Sequence, residues 1–122
     1  MALVLRLEKR KAPMKVKDIF HKAETGKVDL FVLAIVLAEI GYLSQKGRID
    51  TNLESALNYI EHLENVFIDP LTEQIIITAF SIDDVPELHD RLISASASFR
   101  NAPLITNDPA IIASKSLMTT IW

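Results

Sequence analysis

The chain has 122 residues, 49% of them hydrophobic, so it is long enough for one compact domain with a single core and too short for two. It contains no cysteine, which excludes disulfides, thiolate chemistry and Cys-based zinc sites and leaves oxygen and histidine as metal ligands. The formal net charge of -3 argues against a polycation that binds nucleic acid by charge alone.

The longest apolar stretch, residues 30–40, is too short to span a bilayer, because Glu39 interrupts it and Gly41 ends it. The N-terminus carries basic residues but no cleavable signal pattern. We therefore expect a soluble cytoplasmic protein that does not contact a membrane.

Positive charge is concentrated near the N-terminus. Six of the 13 Lys and Arg residues fall within the first 17 positions: Arg6, Lys9, Arg10, Lys11, Lys15 and Lys17. We interpret them as a solvated terminal face, and a phosphate-contacting patch is the alternative. With a divalent cation between an acidic site and a phosphodiester, such a patch would let an acidic protein act on nucleic acid.

Helical periods alternate with short β-rich runs along the chain. In chain order they predict a helix over 15–25, a strand over 29–33, helices over 34–46 and 51–64, a strand over 66–68, a helix over 72–80, a helix that has Pro86 in its first turn and ends at Arg100, a strand over 104–106, a brief helix over 109–114 and a strand over 117–122. Thr51 and Glu54 have capping-box spacing. The pattern predicts a single α/β domain over residues 1–122, with a parallel sheet of four to five short strands and helices on both faces.

Glu39 lies within an otherwise apolar or small run, IVLAEIGYL at residues 35–43. Its helical neighbours three and four positions away are Ile35, Val36, Tyr42 and Leu43, so its carboxylate projects from the face that should be buried. An unpaired carboxylate in a core is unfavourable by several kcal/mol or more. Glu39 must therefore be protonated, paired with a base or bound to a metal.

Two further carboxylates have positions that suit a site. Asp108 follows the predicted strand LIT directly, and open parallel sheets have their sites at the carboxyl ends of the strands. Asp90 stands near the start of the helix HDRLISASA, whose small residues permit close packing. Three converging carboxylates would raise one another's pKa unless a cation lay among them, and oxygen ligands suit Mg²⁺ or Mn²⁺. Ordinary helix caps and a buried ion pair are the alternatives.

The motifs LAEI with Glu39, HDRLISASA with Asp90 and APLITNDPAI with Asp108 resemble, in order and separation, those of the PIN-domain ribonucleases. The toxin of the VapBC type of toxin-antitoxin pair is the most similar branch, and the closing LMTTIW looks like the last strand of one such branch. The resemblance runs from about Lys15 to Trp122.

This resemblance implies a Rossmann-like PIN fold and a metal-dependent endoribonuclease that hydrolyses RNA with a metal-activated water. Glu39, Asp90 and Asp108 match the acidic metal ligands, and Mg²⁺ or Mn²⁺ is the implied metal. Thr106 matches a hydroxyl residue that could orient a water or a phosphate oxygen. The implied partners are an RNA substrate, an antitoxin protein and a second copy of the chain, for which the helix over 51–64 could be the dimer face.

The chain departs from the family at its first strand, which usually ends in a ligand aspartate followed by Thr or Ser. The given chain has no such residue: in the match Met1 falls just after the expected pair, and Glu8 lies well past the expected position. Residues 2–7 could serve as a substitute strand, although the register of the match puts them in the first helix. We favour a native start upstream of Met1.

Two other functions stay open. The chain could be a catalytically impaired PIN-like module that binds RNA or an antitoxin partner. It could also be a small α/β domain whose acidic residues are structural. Hydrolysis of RNA that requires Mn²⁺ or Mg²⁺ would favour the enzyme over both of these possibilities.

Overall fold

The computed structural model describes residues 1–116 and 119–122. The helices are α1 (Ala2–Leu7), α2 (Met14–Glu24), α3 (Ala34–Gln45), α4 (Leu53–Glu61), α5 (Glu73–Ala79), α6 (Leu88–Arg100) and α7 (Pro109–Ile112). The strands are β1 (Leu30–Leu33), β2 (Val66–Asp69), β3 (Leu104–Ile105) and β4 (Thr120–Ile121). The chain forms two compact units, Met1–Asp69 and Pro70–Trp122.

In the first unit, β1 and β2 pair in parallel, with Leu30 opposite Val66 and Leu33 opposite Asp69. The connection between them contains α3 and α4, which pack against each other. Val16, Phe20 and Ile40 are buried in this unit.

The helices of the first unit have well-defined ends. The side chain of Asn52 accepts a hydrogen bond from the Ser55 N–H and caps α4, so the cap lies one residue beyond the predicted Thr51. The turns after α1, α2 and α3 each carry one residue with positive φ, namely Lys9, Gly26 and Gly47.

In the second unit, β3 and β4 pair in parallel, with Leu104 opposite Thr120 and Ile105 opposite Ile121. Helix α6 packs against both α5 and α7. The side chain of Glu87 caps α6 by accepting from the Asp90 N–H. The prediction that Pro86 lies in the first turn is therefore wrong, because the carboxylate cap sets the helix start at Leu88.

The α/β class is confirmed, and both strand pairs are parallel as predicted. Within residues 1–116 and 119–122, however, the strands form two two-stranded sheets instead of one sheet of four to five. The hypothesis of a substitute strand is wrong, because Ala2–Leu7 is a helix, as the register of the resemblance predicted. Part of the last predicted strand, residues 117–118, lies outside the described residues. None of the described helices is long and apolar enough to cross a bilayer.

Candidate active site

Glu39 lies on α3, which begins directly after β1 with Leu33 still in extended conformation. Its neighbours Leu37 and Ile40 are buried, whereas Glu39 itself is only half-buried. The carboxylate therefore keeps partial contact with solvent, which lowers the desolvation cost expected from its apolar neighbours.

Asp90 lies in the first turn of α6 and is half-buried. The Asp90 N–H donates to Glu87 Oε2 over 2.9 Å, and Glu87 Oε1 lies 3.0 Å from Nδ1 of His89. The bond from the Asp90 backbone holds the pKa of Glu87 below its ordinary value, with His89 contributing in the same direction. Glu87 thus stays ionised beside the start of the helix that carries Asp90.

The small residues after Asp90 are buried, as their size predicted: Ser94, Ala95, Ser96 and Ala97. The hydroxyl of Ser96 donates to the Leu92 carbonyl over 2.8 Å. That of Ser94, one turn beyond Asp90, has no hydrogen-bond partner in the part of the chain that the structure describes. A buried hydroxyl without a partner is unfavourable by about 1–3 kcal/mol, so Ser94 is the exception in this segment.

Asp108 follows β3 and begins α7. Its Oδ1 accepts from the Ala110 N–H over 2.9 Å and caps the short helix, so Oδ2 takes no part in the cap. The Asp108 N–H donates to Thr106 Oγ1 over 3.1 Å. Because that hydroxyl accepts from the backbone, its own hydrogen can be donated elsewhere. Thr106 and Asp108 thus form one hydrogen-bonded turn at the carboxyl end of β3.

The predicted site residues are divided between the units, with Glu39 in the first and Asp90, Thr106 and Asp108 in the second. Three carboxylates and a hydroxyl are hard oxygen donors, the chemistry that Mg²⁺ and Mn²⁺ prefer. No group of three or more His, Asp or Glu side chains that could hold a metal is found within residues 1–116 and 119–122. The donors therefore suit the metal in kind.

Sequence reasoning assigned no role to two further acidic residues, Asp69 and Glu87. Asp69 is the last residue of β2 and is 6% exposed. The signal was present, because Asp69 follows the strand residues VFI as Asp108 follows LIT. Glu87 was missed because the helix start was assigned to Pro86 instead of to a carboxylate three positions before Asp90.

Comparison with known proteins identifies the fold family. The model of the PIN domain matches residues 2–114. The chain belongs to the PIN domain family. It is also similar to a chain in the crystal structure of VapBC2 from Rickettsia felis bound to a DNA fragment from their promoter, at a TM-score of 0.72 and 18% identity. That match covers 98% of this PIN domain and 92% of the other chain, whereas no curated protein matches. The resemblance predicted from the three acidic motifs is confirmed.

Proposed function

We propose that this PIN domain is a metal-dependent endoribonuclease of the toxin-antitoxin type. One observation carries the proposal: Asp108 stands directly behind β3 and Asp90 in the first turn of α6, within the residues that match the PIN domain. Helix α6 packs against α7, which Asp108 caps, so the two carboxylates belong to adjoining elements.

In this proposal Glu39, Asp90 and Asp108 hold Mg²⁺ or Mn²⁺. A bound divalent cation supplies activation of water and neutralises charge at the phosphodiester. The chain's own residues position the reacting groups. Asp108 keeps Oδ2 outside the α7 cap, and the Thr106 hydroxyl can donate to a water or a phosphate oxygen while it accepts from the Asp108 N–H.

A second candidate is a catalytically impaired module that binds RNA or an antitoxin protein. It is favoured by the lack, at the start of the given sequence, of the aspartate followed by Thr or Ser that usually ends the first strand of the family. An antitoxin partner is supported in both cases, because the similar chain belongs to the VapBC2 complex.

The deciding experiment is cleavage of single-stranded RNA by the purified protein with Mn²⁺, with Mg²⁺ and with a chelator. We expect cleavage only with metal and a loss of about 10²-fold or more in Glu39→Gln, Asp90→Asn and Asp108→Asn. The matched control is Asp83→Asn, which removes an exposed carboxylate of the second unit and should retain activity.

Metal binding has an independent readout in thermal stability. A cation that binds only the folded protein raises the melting temperature by mass action, so Mn²⁺ should stabilise the wild type and the control more than the Asp90→Asn variant. Intact RNA at high protein concentration, with RNA binding retained, would support the impaired module instead.

We also propose that the chain forms a homodimer. In α4, the helix predicted as the dimer face, Leu53 and Leu57 are each 38% exposed. Helix α5 and the residue that follows it expose more apolar surface, with Ile77 57% exposed and Phe80 65% exposed. Exposed apolar patches of this kind are typical of protein interfaces, which favours α5 over α4 as the contact surface.

A further inference from the structure

The N-terminal segment carries a charge opposite to that of the whole molecule. Glu8 is the sole acidic residue among the first 17, which contain six cations, although the chain has a net charge of -3. An acidic protein repels a polyanion unless a local basic surface attracts it. The segment is therefore the strongest candidate for such a surface.

Four of these six cations line a cleft of about 570 Å³ in the first unit, which is bounded by α1 and α2 and has Tyr59 of α4 in its wall. The cations on its lining are Arg6, Lys9, Arg10 and Lys17, and Glu24 is its acidic residue. Both carboxylate oxygens of Glu24 are already bonded, because Arg6 contacts Oε1 and Oε2 and the Tyr59 hydroxyl donates to Oε2 over 2.6 Å. Arg6 and Glu24 thus neutralise each other.

The other three cations carry surplus charge. Lys9 and Lys17 are exposed and form no ion pair with any residue that the structure describes. Arg10 Nη1 lies 3.6 Å from Glu8 Oε1, beyond hydrogen-bond distance; 60% of the Arg10 side chain is exposed and 8% of that of Glu8, so the Arg10 charge stays accessible from solvent. Glu8 also accepts from the N–H groups of Asp50 and Thr51 through Oε2, so its charge is partly committed to the backbone.

The backbone holds two of these cations in a defined turn. Lys9 adopts φ 54°, and the Lys9 and Arg10 N–H groups donate to the carbonyls of Arg6 and Leu5. These two hydrogen bonds close the C-terminal end of α1 and reverse the direction of the chain. Lys9 and Arg10 are therefore presented from a fixed backbone.

We propose that this cleft binds the phosphodiester backbone of RNA through Lys9, Arg10 and Lys17. The proposal rests on the proposed function in one respect, namely that RNA is the polyanion on which the protein acts. An acidic peptide is the competing ligand. Peptide interfaces rely on apolar anchors. The large apolar residues of the lining are Leu5, Leu7, Val16 and Phe20; Val16 and Phe20 are 1% and 3% exposed and belong to the core, and Leu5 and Leu7 are half-buried. The exposed residues of the lining are Lys9, Arg10 and Lys17, and contacts to phosphate need little besides such charges.

The test is the affinity of the wild-type protein for a labelled 20-nucleotide uridylate strand, measured by fluorescence anisotropy in a chelator across a range of KCl concentrations. The variant combines Lys9→Gln, Arg10→Gln and Lys17→Gln. Its control combines Lys27→Gln, Arg48→Gln and Lys115→Gln, exposed residues outside the cleft with the same loss of charge. We expect the cleft variant to lose about tenfold or more in affinity and its salt slope to fall by about 2, since each contact to a single strand contributes about 0.7.

Three results would overturn the proposal. The first is an equal loss in both triple variants, which would indicate diffuse attraction to the whole surface. The second is unchanged RNA affinity in the cleft variant. The third is a larger loss of affinity for poly-glutamate than for RNA when both are measured in the same assay, which would make the cleft a site for an acidic protein. Circular dichroism melts of both variants establish that they fold.

This test separates the cleft from the catalytic proposal because binding is measured without metal. If the protein cleaves no RNA but the cleft variant still loses RNA affinity, the proposed function fails and the cleft stands. If the protein cleaves RNA and the cleft variant binds it normally, the cleft alone fails.

Discussion

Lys9 occupies a backbone conformation that elsewhere in the first unit is adopted by glycine. The turns after α2 and α3 use Gly26 and Gly47 at φ 77° and 66°, whereas the turn after α1 has Lys9 at φ 54°. A Cβ in this region is strained, so we expect Lys9→Gly to stabilise the protein by about 0.5–1 kcal/mol in urea unfolding.

The matched control is Gly47→Ala, because a Cβ there would meet nothing within 4 Å and only the backbone preference is tested. It should destabilise by about 1 kcal/mol. A loss of stability in Lys9→Gly would mean that the lysine makes a contact that outweighs its strain.

Asp108 has two separable roles, as the cap of α7 and as a proposed metal ligand. Asparagine caps helices as well as aspartate does, whereas alanine does not. We therefore expect Asp108→Asn to lose RNA cleavage with little change in stability and Asp108→Ala to lose cleavage and about 1 kcal/mol. Paired cleavage and urea unfolding assays check this, and full activity in Asp108→Asn would contradict the ligand role.

Three helices of the first unit are tied together by Glu24. This residue at the end of α2 accepts from Arg6 of α1 and from the Tyr59 hydroxyl of α4. We expect Glu24→Gln to destabilise the protein by about 2 kcal/mol, because it leaves Arg6 without its charged partner. The control is Asp18→Asn, which breaks the exposed Asp18 to Lys22 pair of the same helix and should cost about 0.5 kcal/mol or less.

The contribution of Glu24 also depends on pH. The hydrogen bond from Arg6, assisted by the Tyr59 hydroxyl, holds the pKa of Glu24 below its ordinary value of 4.5. A carboxyl with a lowered folded pKa contributes its full stability above the unfolded pKa and loses it as pH falls through the folded pKa. The difference in unfolding free energy between wild type and Glu24→Gln should thus be constant above about pH 5 and shrink below 4.5. A constant difference down to acid pH would contradict this account.

At the scale of the whole molecule, the homodimer proposal distinguishes two apolar faces. We expect Phe80→Lys, at the C-terminal end of α5, to convert a dimer into a monomer in sedimentation equilibrium, because a charge in an apolar interface is unfavourable. Leu57→Lys on α4 is the matched variant and should leave the dimer intact. A dimer that is lost in Leu57→Lys but retained in Phe80→Lys would indicate that α4 is the interface. A monomeric wild-type protein would exclude both interfaces.

The sequence by itself determined most of the helices and their order. The predicted helix over 15–25 is observed as Met14–Glu24 and that over 34–46 as Ala34–Gln45, because apolar periodicity and glycine stops act over a few neighbouring residues. The three acidic motifs likewise lie on local elements, so their resemblance to the PIN domain could be recognised without a structure.

Only the tertiary structure decided which strands pair, which carboxylates are buried and which cations face one cleft. Asp69 is buried at the end of β2, while Glu39 stays half-exposed despite its apolar neighbours. The Glu24 contacts join residues 18 and 35 positions apart, and all three of these residues line the cleft. Pairing and burial depend on contacts between residues distant along the chain, whereas a helix is largely specified by its own sequence.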